Sequence, residues 1–115
     1  MALIITTSTA AAQSPHRLVA VVAELNDPLA VQENAMLKQD EAGLRSRDVV
    51  VQNLTPEAAR LRDDLGVGPR TTFEVILVGK DGGVKLRRGQ PVAASEISAL
   101  IDTMPMRQEE MRRQK

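Results

Sequence analysis

The chain has 115 residues, 43% of them hydrophobic and 26% charged, which is enough for one globular domain with its own core and needs no metal or disulfide staple. The 15 basic side chains match 15 acidic ones, so no global field steers the protein onto nucleic acid or an anionic membrane. Cysteine is absent, and with it go disulfides, thiolate nucleophiles, redox switching and Cys-ligated metals.

The single histidine, His16, precedes the first predicted strand. A zinc site built on histidine pairs is therefore excluded, and His16 reads as a solvated linker residue. One aromatic, Phe73, provides no platform for base stacking. No apolar run approaches the length of a membrane span.

Residues 1–16 read as a disordered leader or an eroded signal segment. Ala10-Ala11-Ala12 satisfies the small-residue rule for cleavage, but Ala2 to Ile5 is too short for a signal core and no basic residue precedes it. The first reading is favoured. Pro15 separates this segment from a domain expected over residues 17–104, with a charged tail over 105–115.

Leu18 to Ala23 is a continuous, β-branched apolar run and predicts a strand buried on both faces. Asp27-Pro28 then supplies an N-cap and a first-turn proline for a helix running to about Ala42. Leu29, Met36 and Leu37 should face inward, and Gly43 should stop the helix. Asp48 to Leu54 predicts a second buried strand. Thr55-Pro56-Glu57 opens a second helix by capping, with Ala58, Leu61 and Leu65 at helical spacing and Gly66 ending it.

Phe73 to Val78 predicts a third strand. Lys80-Asp81-Gly82-Gly83 marks a tight hairpin turn into Val84 to Arg88, an alternating, half-exposed edge strand. A last helix starts at Ala94 or Ser95, with Ile97, Leu100, Ile101 and Met104 on one stripe. Pro105 interrupts it.

The order β-α-β-α-β-β-α pairs the first two strands in parallel and the last two as a hairpin. A mixed four-strand sheet in spatial order 2-1-3-4, with helices on both faces, satisfies these connections. That is a single α/β domain of thioredoxin-like arrangement.

Three segments carry a family resemblance: Gly79 to Arg87 (GKDGGVKLR), Gly66-Val67-Gly68-Pro69, and Ile101 to Arg113 (IDTMPMRQEEMRR). They resemble the prokaryotic DUDES-type domain, a bacterial family of unknown function. That domain is similar to repeats in an animal extracellular coiled-coil-domain-containing protein and in sushi-repeat proteins. The resemblance extends over Leu18 to Arg113. It implies a thioredoxin-like fold and, in many members, export to the periplasm. It implies no established activity and no catalytic residue.

Redox proteins of this fold place thiols where the first strand turns into the first helix, because the helix N-terminus lowers a thiol pKa. Glu24-Leu25-Asn26-Asp27-Pro28 occupies that turn without a thiol. Glu24, Asn26 and Asp27, with Thr71 and Thr72 where the facing cis-proline would stand, are the candidate ligand-binding residues. The competing reading is a plain capped helix start, and it is favoured. Gly79 to Gly83 is not a phosphate loop, since it joins two strands and lacks the hydroxyl after lysine. Asp63-Asp64 and Glu109-Glu110 are neighbours that point apart on a helix, so neither pair forms an acid–base dyad.

In the tail, Met106, Arg107, Met111, Arg112 and Arg113 are the candidate partner-binding residues, for a protein or a second copy. The competing and favoured reading is a helical segment packed back on its own domain. Mixed charge disfavours nucleic acid. The sequence thus predicts a non-catalytic binding module without cofactor or metal. The alternative is a cysteine-free enzyme or small-ligand-binding protein using the former thiol-site face.

Overall fold

A computed structural model of the chain describes residues 13–114, so expectations for residues 1–12 lie outside the described residues. Four strands form one sheet: β1 (Arg17–Ala23), β2 (Val49–Leu54), β3 (Phe73–Val78) and β4 (Val84–Arg88). Their spatial order is β2-β1-β3-β4, with β1 and β2 parallel and the other pairs antiparallel. The helices are α1 (Pro28–Lys38), α2 (Glu41–Ser46), α3 (Ala59–Asp64), α4 (Ala94–Asp102) and α5 (Pro105–Arg113). This is the α/β arrangement that the order of apolar runs and turn signals implies.

The pleat of β1 splits the core in two. Val19, Val21 and Ala23 join Val75 and Leu77 under α1, α2 and α4, where Leu37, Leu44, Ile97 and Ile101 are buried. Ala20, Val22 and Ile76 face the other way, against Leu54, Ala58, Leu65 and Val67 around α3. Two faces of burial explain why β1 is apolar at every position after Arg17.

Several elements depart from the sequence expectation. The first helix does not run to Ala42: it ends at Lys38, and α2 starts after Asp40. Asp40 accepts a hydrogen bond from Gly43 N at 3.2 Å and so caps α2. Gly43 is no stop signal. A Cβ there would lie 2.3 Å from Asp40 Oδ2, so the glycine makes room for the capping carboxylate. The buried face of α1 is Ala30, Glu33 and Leu37; Leu29 is exposed and Met36 is half-buried.

Strand β2 is an edge strand, buried only at its ends, with Val50 and Val51 exposed. Thr55 makes no capping bond; its hydroxyl donates to Glu57 Oε1 at 2.7 Å, and a 3₁₀ turn (Pro56–Ala58) precedes α3. Gly66 ends α3 at φ +72° as expected. The β3–β4 connection spans residues 79–83 rather than two residues, with a register irregularity at Leu77/Val78. Gly82 supplies the positive φ that the turn requires.

Residues 105–113 continue as a helix after the proline, and Arg107 is buried against the domain. Around it lies a web of ion pairs. Arg17, 1% exposed, donates through Nη1 and Nη2 to both oxygens of Glu110 at 3.2 Å. Lys80 Nζ donates to Glu110 Oε2 at 2.7 Å and to Asp48 Oδ2 at 2.8 Å. Arg47 forks onto Asp102 with two bonds of 2.9 Å, and Arg107 Nε reaches the same carboxylate at 3.3 Å. Burial pushes the Glu110 carboxyl up, but hydrogen bonds and charge from Lys80 and Arg17 outweigh it and hold the pKa at about 2. No helix among the described residues is long and apolar enough to cross a membrane.

Candidate functional site

The site is built where β1 delivers the chain to α1. Glu24 and Leu25 leave the sheet, and Asn26 turns the backbone with φ +67°, a left-handed value that asparagine tolerates better than most residues. Asp27 N donates to Glu24 O at 3.1 Å and closes the turn. Asp27 Oδ1 then accepts from Leu29 N at 2.8 Å and Ala30 N at 3.4 Å. The helix N-terminus is therefore already occupied by a carboxylate of its own chain, and a second anion there would meet like charge.

A groove of about 410 Å³ lies beside this turn, between α1 and the end of β2. Glu24, Asn26, Asn34, Asn53 and Thr55 supply its polar wall, and Val21, Ala23, Leu25, Ala30 and Val31 its apolar wall. Asn34 Nδ2 donates to Asn53 Oδ1 at 2.8 Å, and Asn53 Nδ2 returns a bond of 3.2 Å to Asn34 Oδ1. Beyond this amide pair a second groove of about 570 Å³ continues between α1, α2 and β2, past Lys38, Glu41, Arg45 and Val51. Leu25 is 75% exposed and Val31 59%, so the rim carries apolar side chains that the core does not use.

Of the candidate ligand-binding residues, Glu24 and Asn26 line the groove, while Asp27 is spent on the cap. Thr71 and Thr72 sit at the same sheet end, because Ala23 pairs with Phe73, but they lie off the groove wall. Thr71 N donates to Gly68 O at 3.1 Å in a turn, and every peptide bond of the described residues is trans. Asn34, Asn53 and Thr55 were missed. The parallel register that sets Asn53 beside Val21 was the available signal, since it carries the polar end of β2 to the turn.

Below the groove, the Arg62 guanidinium donates to Leu54 O at 2.8 Å and Ala23 O at 3.3 Å, tying the C-terminal ends of β1 and β2 together. Glu24 is the groove's one carboxylate, so no acid–base pair is assembled in it. Among the described residues no three His, Asp or Glu side chains converge as metal ligands.

The tail residues divide. Arg107 is buried, while Met106, Arg112 and Arg113 are exposed and Met111 is half-buried. Arg112 and Arg113 pair with Glu109 on their own helix.

One titratable group is buried on the far side of α1. Glu33 is 0% exposed, and its Oε1 accepts from Val92 N at 2.6 Å, while Oε2 has no partner among the described residues. Burial pushes its pKa up to about 7, against the opposing Val92 hydrogen bond.

No curated protein matches the chain. Among solved structures, it is similar to thioredoxin peroxidase I of Plasmodium yoelii, at 11% identity and a TM-score of 0.65, covering 87% of this chain and 79% of that one. It is similar to Trxlp from Edwardsiella tarda at 18% identity and a TM-score of 0.57, covering 84% and 91%. It is also similar to mitochondrial thioredoxin 3 from Saccharomyces cerevisiae at 15% identity and a TM-score of 0.54, covering 87% and 90%. These likenesses establish a thioredoxin-like fold; the chain lacks the thiols with which that fold performs disulfide chemistry. A family model described as "Domain of unknown function (DUF4174)" matches residues 8–110, and the chain belongs to that family.

Proposed function

We propose that the protein is a non-catalytic binding module whose recognition surface is the groove at the β1–α1 turn. One observation carries this reading: exposed Leu25 and Val31 rim a cleft whose polar wall is mostly amide and hydroxyl rather than charged. Apolar side chains at a rim recover hydrophobic free energy only when a partner covers them. Asn26, Asn53 and Thr55 offer both donors and acceptors, which suits the backbone of an extended peptide. The capping role of Asp27 and the nearby Glu24 argue against an anionic ligand.

The test is selection of peptides from a displayed random library on the purified protein, followed by binding measurements on Leu25→Asp and Val31→Asp. Both residues are exposed, so folding should be retained. A selected peptide should bind each variant at least about tenfold more weakly, the loss expected when a rim anchor is replaced by a desolvated charge. Recovery of no peptide, or equal binding by both variants, refutes the reading.

Three finer readings belong here too. The hairpin Gly79 to Arg87 and the segment Ile101 to Arg113 support kinship with the DUDES-type domain and its animal extracellular relatives. The exposure of Met106, Arg112 and Arg113 supports a second docking face on α5, for a protein or a second copy. A working unit of residues 17–104 with an appended helix remains our division of the chain, with the helix fastened through Arg107 and Glu110.

A further inference from the structure

A small cavity of about 70 Å³ lies between the β3–β4 hairpin and the start of α5, away from the groove described above. Its charged wall is Arg17, Lys80 and Lys85 against one carboxylate, Asp81. Such a volume holds several water molecules, and so admits one tetrahedral ion. Met104, Pro105 and Met106 complete the wall. They form the N-terminus of the nine-residue α5, whose Met104 offers no side-chain cap. The first N–H groups of this helix, on Met106 and Arg107, are donors at the positive end of a helix dipole.

A second observation is independent of the helix. Arg17 is 1% exposed, and its Nε has no hydrogen-bond partner among the described residues. Glu110 takes the end of the guanidinium, through Nη1 and Nη2. That leaves the side edge, Nε–H with the second Nη2 hydrogen, as an unfilled two-pronged donor, the geometry that grips oxyanions. Lys80 uses two of its three ammonium hydrogens, on Asp48 and Glu110, and Lys85 uses one, on Asp81 at 2.9 Å. Arg17 is buried and Lys80 nearly so, and donor hydrogens left over around one cavity call for an acceptor.

We propose that this cavity binds a tetrahedral oxyanion, phosphate or sulfate, held by the Arg17 side edge, the lysines and the α5 N-terminus. The ion would be either free or the terminal phosphoryl group of a larger molecule. Bound there, it bridges the hairpin to α5 and completes the polar web that fastens the C-terminal helix.

The experiment is titration of the full-length protein with sodium phosphate, sodium sulfate and phenyl phosphate, each against sodium chloride at matched ionic strength. Amide shifts of Lys80, Met106 and Arg107 give the readout. Saturable shifts with the oxyanions and none with chloride are expected. Lys85→Gln, on a partly exposed side chain, should weaken binding about fivefold. Arg17→Lys keeps the charge facing Glu110 but deletes Nε, and should weaken it further. Tighter binding of phenyl phosphate supports a phosphoryl group on a larger molecule as the source, and tighter binding of inorganic phosphate supports the free ion. Linear shifts shared with chloride, or undiminished affinity in Lys85→Gln, overturn the proposal; the latter variant decides the matter if Arg17→Lys fails to fold.

Discussion

Glu33 places a carboxyl at a position of α1 that packing would assign to an apolar residue. Its pKa of about 7 means that, between its ordinary value of 4.5 and 7, the folded protein holds a proton that the unfolded chain has released. Stability is therefore fully present below pH 4.5 and declines as pH rises through 7, by about 3 kcal/mol in all. Glu110 works in the opposite sense. Its pKa, held at about 2, gives stability that is present above its ordinary value of 4.5 and lost as pH falls through 2. Asp102, lowered first by its hydrogen bond from Arg47, adds to that acid limb. The two together predict maximal stability at about pH 5, with loss on either side. Urea denaturation across pH 3 to 8 checks this. Glu33→Gln keeps an acceptor for Val92 N–H and cannot ionise, so its stability should be flat from pH 5 to 8 while the acid limb persists. A slope above pH 5 that is unchanged in the variant assigns the effect elsewhere.

At the scale of elements, the junction of α1 and α2 predicts non-additive behaviour. Asp40→Ala removes the α2 cap and should cost about 1 kcal/mol. Gly43→Ala gains up to about 1 kcal/mol from helix propensity, but its methyl displaces the capping carboxylate. In the native background it should be neutral or destabilising, and in the Asp40→Ala background stabilising. A double-mutant cycle by denaturant unfolding should show coupling of about 1 kcal/mol; strict additivity would mean that cap and methyl do not compete. This junction also marks where sequence pattern stops. Strands β1 and β3 were legible because both faces of each are buried and, Arg17 and Glu74 apart, every position is apolar. Helix α4 was legible because Ile97 and Ile101 repeat on one stripe. The break before α2 was not, because Gly43 reads equally as a stop signal or as space for a cap. The exposure of β2 was not legible either, since Val49-Val50-Val51 does not reveal that this strand takes the edge of the sheet. In the site, Glu24 and Asn26 followed from the turn, whereas Asn34 and Asn53 required the register of β2 on β1.

Across the whole molecule, the charged tail turns out to serve the fold as well as the surface. Arg17 begins β1 on the face that α5 covers, and among the described residues only Glu110 pairs with it as an opposite charge. Removing residues 105–115 leaves Arg47 with Asp102 and Lys80 with Asp48, but among the described residues it leaves the Arg17 side chain with no more than the Arg47 carbonyl at 2.9 Å. Stripping one partner from a buried pair costs about 3 kcal/mol, or about 15 °C in Tm for a domain of this size. A chain ending at Met104 should therefore melt well below the full-length protein when followed by circular dichroism. Loss of a partner on such truncation would then report unfolding as readily as loss of a docking face. The combined substitution Met106→Asp, Arg112→Glu and Arg113→Glu separates the two. It touches side chains exposed to solvent and spares Arg107 and Glu110, so it should melt within a few degrees of the native protein while abolishing any contact made through α5. A truncated chain that melts with the full-length protein would show that α5 contributes nothing to stability and that Arg17 is satisfied by water once the helix is gone.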